Sequence, residues 1–309
     1  MIKVRVPATS ANLGPGFDTL GVALEMYNEI EMAETGILDD VIEVEGHSGG
    51  MLEEPQHNLV YQAARLAFDR LGYRPYGLLL RERIGIPVAR GLGSSAAAIV
   101  AGLVGASALA ERATGHGLSQ EDILQLAVQM EGHPDNVTPA LVGGFTVACM
   151  DEGRPLFVRF DPPPGLEAVI AIPEIPLPTK TARGVLPGEV TMADAVFNLS
   201  RATLLVAALL TGRLDLLAAA TKDRMHQPYR EALVPGLRAV IQAALDAGAR
   251  GVALSGAGPS VIALVERGNQ EPVQSAMEAA FQWHGSDCTV RAVALAREGA
   301  RVEWVDDRA

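Results

Sequence analysis

Residues 2-IKVRVP-7 alternate, with Ile2, Val4 and Val6 against Lys3 and Arg5, and predict a strand ending at Pro7. Alternation returns over 20–32 and 41–46, which predicts two more strands. Between the first two lies 8-ATSANLGPGFD-18, a Gly-, Pro-, Asn- and Ser-rich loop of the kind that displays binding groups. Over 57–72 the period becomes helical: Leu59, Ala63, Leu66 and Ala67 share a face, Asn58 can cap the start and Gly72 can end the last turn. A strand is predicted at 76–84, an alanine-rich helix at 96–110 and a further helix at 119–132, where Ser119 and Asp122 approximate a capping box. Strands at 141–150 and 155–160 complete the first half.

The run 161-DPPPG-165 is the densest proline cluster and marks a stiff connector, so we set a domain boundary near residue 162. Beyond it the pattern predicts strands at 167–173, 251–256, 261–266 and 288–296. Helices are predicted at 191–212, 214–223, 235–249 and 271–285. Strands and helices alternate in both halves without an internal repeat, which implies a mixed α and β protein with two sheets.

Composition narrows the function. A chain of 309 residues, 49% hydrophobic and 20% charged, is neither disordered nor fibrous. The 37 acidic against 25 basic residues give a net charge of -12, which argues against nucleic acid as the main partner. Cys149 and Cys288 are too few for a disulfide framework or a cysteine metal site and fit a reducing cytoplasm. The start shows no secretion signal, and the apolar run 96–110 is shorter than the roughly twenty residues a bilayer needs, so no membrane span is expected. The six histidines, His47, His57, His116, His133, His226 and His284, form no H-E-x-x-H motif, which argues against a zinc hydrolase.

The most informative stretch is 87-PVARGLGSSAAAIVAG-102. Gly91 and Gly93 permit a tight turn, and Ser94 and Ser95 begin a helix whose free amides can face an anion. No Walker-type lysine loop and no dinucleotide fingerprint is present. A second glycine loop, 255-SGAGPS-260, allows either a structural hairpin or a partner to the first.

Four blocks, 6-VPATSANLGPGFD-18, 87-PVARGLGSSAA-97, 131-EGHPDNVTPALVGG-144 and 253-ALSGAGPS-260, resemble the GHMP small-molecule kinases. Together with 222-KDRMHQPYR-230, they resemble within that family the members acting on L-homoserine. The resemblance implies a two-domain α+β fold: an N-terminal domain over 1–162 like domain 2 of ribosomal protein S5, and a ferredoxin-like C-terminal domain over 163–309. It implies phosphoryl transfer from ATP, with Mg²⁺, to the side-chain hydroxyl of L-homoserine in threonine biosynthesis, by a cytoplasmic homodimer.

By the same resemblance the nucleotide would contact Pro87, Val88, Ala89, Arg90, Gly91, Leu92, Gly93, Ser94, Ser95, Ala96 and Ala97, with Gly256 and Gly258 alongside. Glu131, with Ser94 or Ser95, matches the magnesium site, whose hard cation wants oxygen ligands. Asn12 and Asp18 match the groups that hold the substrate's amino group and reacting hydroxyl. Arg183 and Arg230 match a carboxylate clamp, His133 a pocket wall, and Thr179 a hydroxyl near the transferred phosphate. Asn136 stands where many family members carry a basic aspartate, and a neutral amide cannot take a proton, so catalysis would rest on positioning and electrostatics. Asp135 is either a base or, as we favour, a turn cap. Asn58 with Leu59 and Val60 is either an adenine-side wall or an ordinary helix cap. His226 either shapes the pocket or makes a structural hydrogen bond. The insert between Glu131 and His133 is shorter than in some relatives. The competing readings are a GHMP kinase of mevalonate or sugar type and an inactive binding protein of the same fold.

Overall fold

The computed structural model describes residues 1–46 and 50–305; His47 lies outside them. Two sheets carry the fold. The first joins β1 (Ile2–Ala11), β2 (Leu20–Glu34), β3 (Val41–Glu45), β4 (Leu78–Arg83), β5 (Phe145–Asp151), β6 (Arg154–Phe160) and β11 (Arg301–Trp304). Its main path runs β11-β1-β2-β4-β3, and β5 pairs with β2 and β6. The second is four-stranded in the order β10-β7-β9-β8, from β7 (Leu166–Pro173), β8 (Gly251–Leu254), β9 (Val261–Glu266) and β10 (Cys288–Val293).

The first half contributes helices α1 (Leu59–Leu71), α2 (Ser94–Thr114), α3 (Gln120–Glu131) and α4 (Pro134–Val142). The second half contributes α5 (Thr179–Gly184), α6 (Met192–Thr211), the single turns α7 (Leu217–Ala220) and α8 (Gln227–Arg230), α9 (Leu237–Asp246) and α10 (Gln270–Trp283). Caps form where the sequence put them. Asn58 accepts from the Tyr61 amide, Gly72 ends α1 with φ 65°, and Ser119 and Asp122 make a reciprocal capping box. The core beneath α2 joins Val4 and Met32 of the sheet to Ile99, Val100 and Leu103 of the helix. A second core under β7–β10 holds Val169, Val240, Val265 and Phe281.

Several expectations need correction. The first strand does not stop at Pro7: a register shift between Pro7 and Ala8 accommodates the missing N–H, and β1 runs on to Ala11. The strand predicted from 141 starts at Phe145, because 134–142 is α4, with Pro134 in the first turn where its lost donor costs nothing. The helix predicted over 214–223 is a 3₁₀ turn at 214–216 followed by α7, and the strand predicted to 296 ends at Val293. β11 was not anticipated. It pairs with β1 and takes its place as the edge strand on that side of the first sheet.

α2 and α6 are long and apolar enough to cross a membrane by length and composition, but 67% of the apolar window of α2 is buried inside the protein. For α6 that share is 22%, and Met192, Val196, Leu199 and Leu210 form an exposed stripe along it.

Candidate active site

A cavity of about 310 Å³ opens where the β1–β2 loop, the starts of α1, α2, α4 and α5, the end of α3, Arg230 and the 255–260 loop converge. The expected residues Asn12, Asp18, Asn58, Glu131, His133, Asn136, Thr179, Arg183, Arg230 and Gly256 all line it, together with every residue from Pro87 to Ser95. Ala96, Ala97 and Gly258 do not. The alanines are turned into the core beneath α2, and Gly258 lies under Gly91 as a support.

Backbone geometry holds the glycine-serine loop in place. Gly93 precedes α2 with φ 68°, and a Cβ there would stand 1.9 Å from Thr9 Oγ1. The Thr9 amide donates to Leu92 O, and the Gly85 and Ile86 amides both donate to Asn28 Oδ1 at 3.0 Å. The second glycine loop braces the first: Ser255 Oγ donates to Gly91 O at 2.7 Å and the Ser260 amide donates to Arg90 O. Ala97 is the first amide to bond back along α2, to Gly93 O, so the amides of Ser94, Ser95 and Ala96 are the unpaired helix start that attracts an anion.

The two serines differ. Ser95 Oγ donates to Glu131 Oε1 at 2.8 Å, whereas the Ser94 hydroxyl points back to Ile86 O at 3.4 Å. Burial raises the Glu131 carboxyl above its usual range, against the lowering effect of the Ser95 hydroxyl and of His133. Two hard oxygens on adjoining helix ends are a donor set that suits a divalent cation such as Mg²⁺.

In the same cavity Asp18, held with φ 52°, forms a two-pronged ion pair with Arg183: Nη1 to Oδ2 at 3.0 Å and Nη2 to Oδ1 at 2.6 Å. Asn12 Oδ1 accepts from the Asp18 amide, and its Nδ2 donates to Gly256 O at 2.9 Å, which fixes the loop. Arg230 is only 2% exposed. Its Nη1 donates to Gly256 O at 2.9 Å and its Nε to Ala182 O at 3.2 Å, and no carboxylate forms a salt bridge with it among the described residues. Burial brings its pKa down to about 10, with repulsion from Arg183 adding to the effect. The Phe17 ring lies between the two guanidiniums, 5.4 Å from that of Arg183 and 5.5 Å from that of Arg230.

His226 is fully buried and makes structural bonds that orient Arg230. Gly14 O can only accept, 2.7 Å from Nε2, and Arg230 Nη1 can only donate, 3.2 Å from Nδ1. The ring is therefore neutral with its proton on Nε2, in line with a pKa lowered by burial.

Asp135 does not cap the turn. It is 2% exposed, and its Oδ1 lies 2.5 Å from His133 Nδ1; α4 has no side-chain cap. Burial alone would lower the His133 pKa, but Asp135 and Glu131 outweigh it and raise it. Asn136 Oδ1 accepts from Thr9 Oγ1 at 2.8 Å, so what its amide can present to a ligand is N–H. The sequence reading passed over Thr9, Phe17 and Glu82. A glutamate in line with the inward Leu78 and Leu80 was the one signal that could have flagged Glu82.

Comparison with known proteins gives the family. The model of the GHMP kinases N-terminal domain matches residues 58–144, and that of the GHMP kinases C-terminal domain matches 205–282. A homoserine kinase of Symbiobacterium thermophilum is 65% identical over 307 residues, covering 98% of this chain and 94% of the relative. The chain belongs to the homoserine kinases of the GHMP family. Another homoserine kinase, from Moorella thermoacetica, is 48% identical and is covered along its full length, with 98% of this chain aligned. The crystal structure of homoserine kinase from Cytophaga hutchinsonii superimposes with a TM-score of 0.87 at 31% identity, covering 98% of this chain and 97% of that one. The L. major mevalonate kinase, solved with R-mevalonate, shares the two-domain α+β fold at 17% identity, with a TM-score of 0.71.

Proposed function

We infer that the protein transfers a phosphoryl group from ATP to the side-chain hydroxyl of L-homoserine, giving O-phospho-L-homoserine. The observation that carries this reading is one cavity with two unlike ends. An anion-attracting helix start with Ser95 and Glu131 faces an acid and two arginines suited to an amino acid. Membership of the homoserine kinases supports the same substrate.

In this reading the amides of Ser94, Ser95 and Ala96 would receive the triphosphate, and Glu131 with Ser95 would hold Mg²⁺, whose charge would offset that of the phosphates. Asp18 takes the substrate ammonium, Arg230 and Arg183 take its carboxylate, and Asn12 and His133 border the same pocket. Thr179 and the N–H groups of Asn136 stand near the transferred phosphate. Asn136 cannot act as a base and Asp135 is engaged with His133, so the hydroxyl proton passes to a phosphate oxygen.

We further propose a division near residue 162. The two family-model matches fall on either side of it, although β11 crosses back to the first sheet. A homodimer in the cytoplasm completes the reading, supported by the exposed apolar stripe of α6 and by two free cysteines.

The deciding assay offers ATP and Mg²⁺ with L-homoserine, L-serine, L-threonine or mevalonate. A clear preference for L-homoserine is expected, and equal turnover of mevalonate would overturn the assignment.

A further inference from the structure

β4 turns Leu78, Leu80 and Glu82 inward and Arg81 and Arg83 outward. The third inward position therefore carries a carboxyl where the pattern calls for an aliphatic side chain, and Glu82 is 8% exposed. Its Oε1 accepts from Asn58 Nδ2 at 2.5 Å.

The Asn58 side chain has nothing left to donate. Its Nδ2 also donates to Leu52 O at 2.8 Å, and its Oδ1 caps α1 through the Tyr61 amide at 2.7 Å. With both amide hydrogens used, it holds the wall together but offers a ligand no donor.

The second oxygen of Glu82 has no hydrogen-bond partner among the described residues, yet it is not sealed in the interior, and the residue lines the cavity. The same cavity is also lined by Leu52, Leu59, Val60, Ile84 and Val88, with Asn28, His57 and Asn58 as its polar members from these segments. A mainly apolar wall with one unpaired acceptor fits a flat heteroaromatic ring carrying an amino group.

We propose that Glu82 selects the nucleobase: its free carboxylate oxygen accepts a hydrogen bond from the 6-amino group of adenine and rejects 6-oxo purines. This rests on the ATP reading above and adds the residue that chooses the base. Above pH 7, where the carboxyl is ionised, a 6-oxo purine would set a carbonyl oxygen against the carboxylate oxygen, two acceptors with no proton between them. Burial has already raised the carboxyl to about 7, and an amine at the second oxygen supplies the partner that the ionised form lacks.

The test compares kcat/KM for ATP, ITP and purine riboside 5′-triphosphate, which bears no group at C6, at saturating L-homoserine and pH 8, where the Glu82 carboxyl is mostly ionised. For the wild-type protein, loss of the amine should lower kcat/KM about 30-fold, and its replacement by oxygen should lower it further. In Glu82→Gln the amide oxygen must still accept from Asn58, so its NH₂ faces the base. The ATP-to-ITP ratio should then fall at least about 30-fold while the KM for homoserine stays within about threefold. A wild-type protein that uses all three nucleotides alike overturns the proposal, and that series decides even if the variant does not fold. Equal losses for every nucleotide in Glu82→Gln also overturn it, because they mark a purely structural role. Failure to turn over any nucleotide overturns the kinase reading instead.

Discussion

Replacing Arg230 with alanine tests the amino-acid end of the cavity directly. The guanidinium is a buried cation that touches two carbonyls, Gly256 O and Ala182 O, and a neutral histidine, but no carboxylate among the described residues. Its pKa near 10 reflects that setting: burial penalises the charge, and Asp18 and Asp223 offset it only in part. A substrate carboxylate would be the first anion in direct contact, in a site screened from water. A charge-assisted hydrogen bond of this kind contributes about 1.5–3 kcal/mol. At 1.36 kcal/mol per factor of ten, loss of one such contact should raise the KM for homoserine about 10- to 150-fold, and loss of both prongs should exceed that. The triphosphate end is served by other elements, so the KM for ATP should move less than about threefold. Steady-state kinetics with each substrate varied in turn measures the split, and a melting curve checks that the variant is folded. Arg230→Lys keeps charge without the planar fork and should recover only part of the loss. Equal increases in both KM values, or an unchanged homoserine KM in a folded variant, would refute the reasoning.

Gly93→Ala would place a Cβ 1.9 Å from Thr9 Oγ1 at a φ of 68°, so the loop must shift. We expect a loss of about 1–3 kcal/mol in denaturant unfolding and at least a tenfold loss in kcat/KM for ATP. Glu82 gives a signed pH effect. Its folded pKa of about 7 lies above the ordinary 4.5, so the native state holds the extra proton and stability falls as pH rises between these values. Glu82→Gln cannot ionise, and its stability relative to the wild type should rise from pH 5 to pH 8 by up to about 3 kcal/mol in chemical denaturation. A difference that is flat with pH would contradict the assignment of that carboxyl.

Local signals were readable in the chain. The capping box of Ser119 and Asp122, the Asn58 cap and the Gly72 terminus depend on residues a few positions apart and formed as expected. α4 was hidden because it is buried on nearly every side and shows no apolar stripe, and the Gly143–Gly144 pair suggested the entry to a strand. The strand β11 is short and owes its pairing to β1, some 300 positions away, which no local pattern can announce. At the site, residue types pointed to side chains that share one cavity, but partners did not follow from types. The difference between Ser94 and Ser95, the engagement of Asp135 with His133, and the neutral His226 behind Arg230 all depend on contacts between distant segments.

The pairing of β11 with β1 also bears on synthesis. Segment 294–296 bonds to Ala23, Glu25 and Gly144, and after four intervening residues Arg301–Trp304 covers the outer side of β1. While a nascent chain is still on the ribosome, that side of β1 stays open, with backbone groups ready to pair with another chain. Synthesis must therefore reach Trp304 before that side of β1 finds its partner within the same chain.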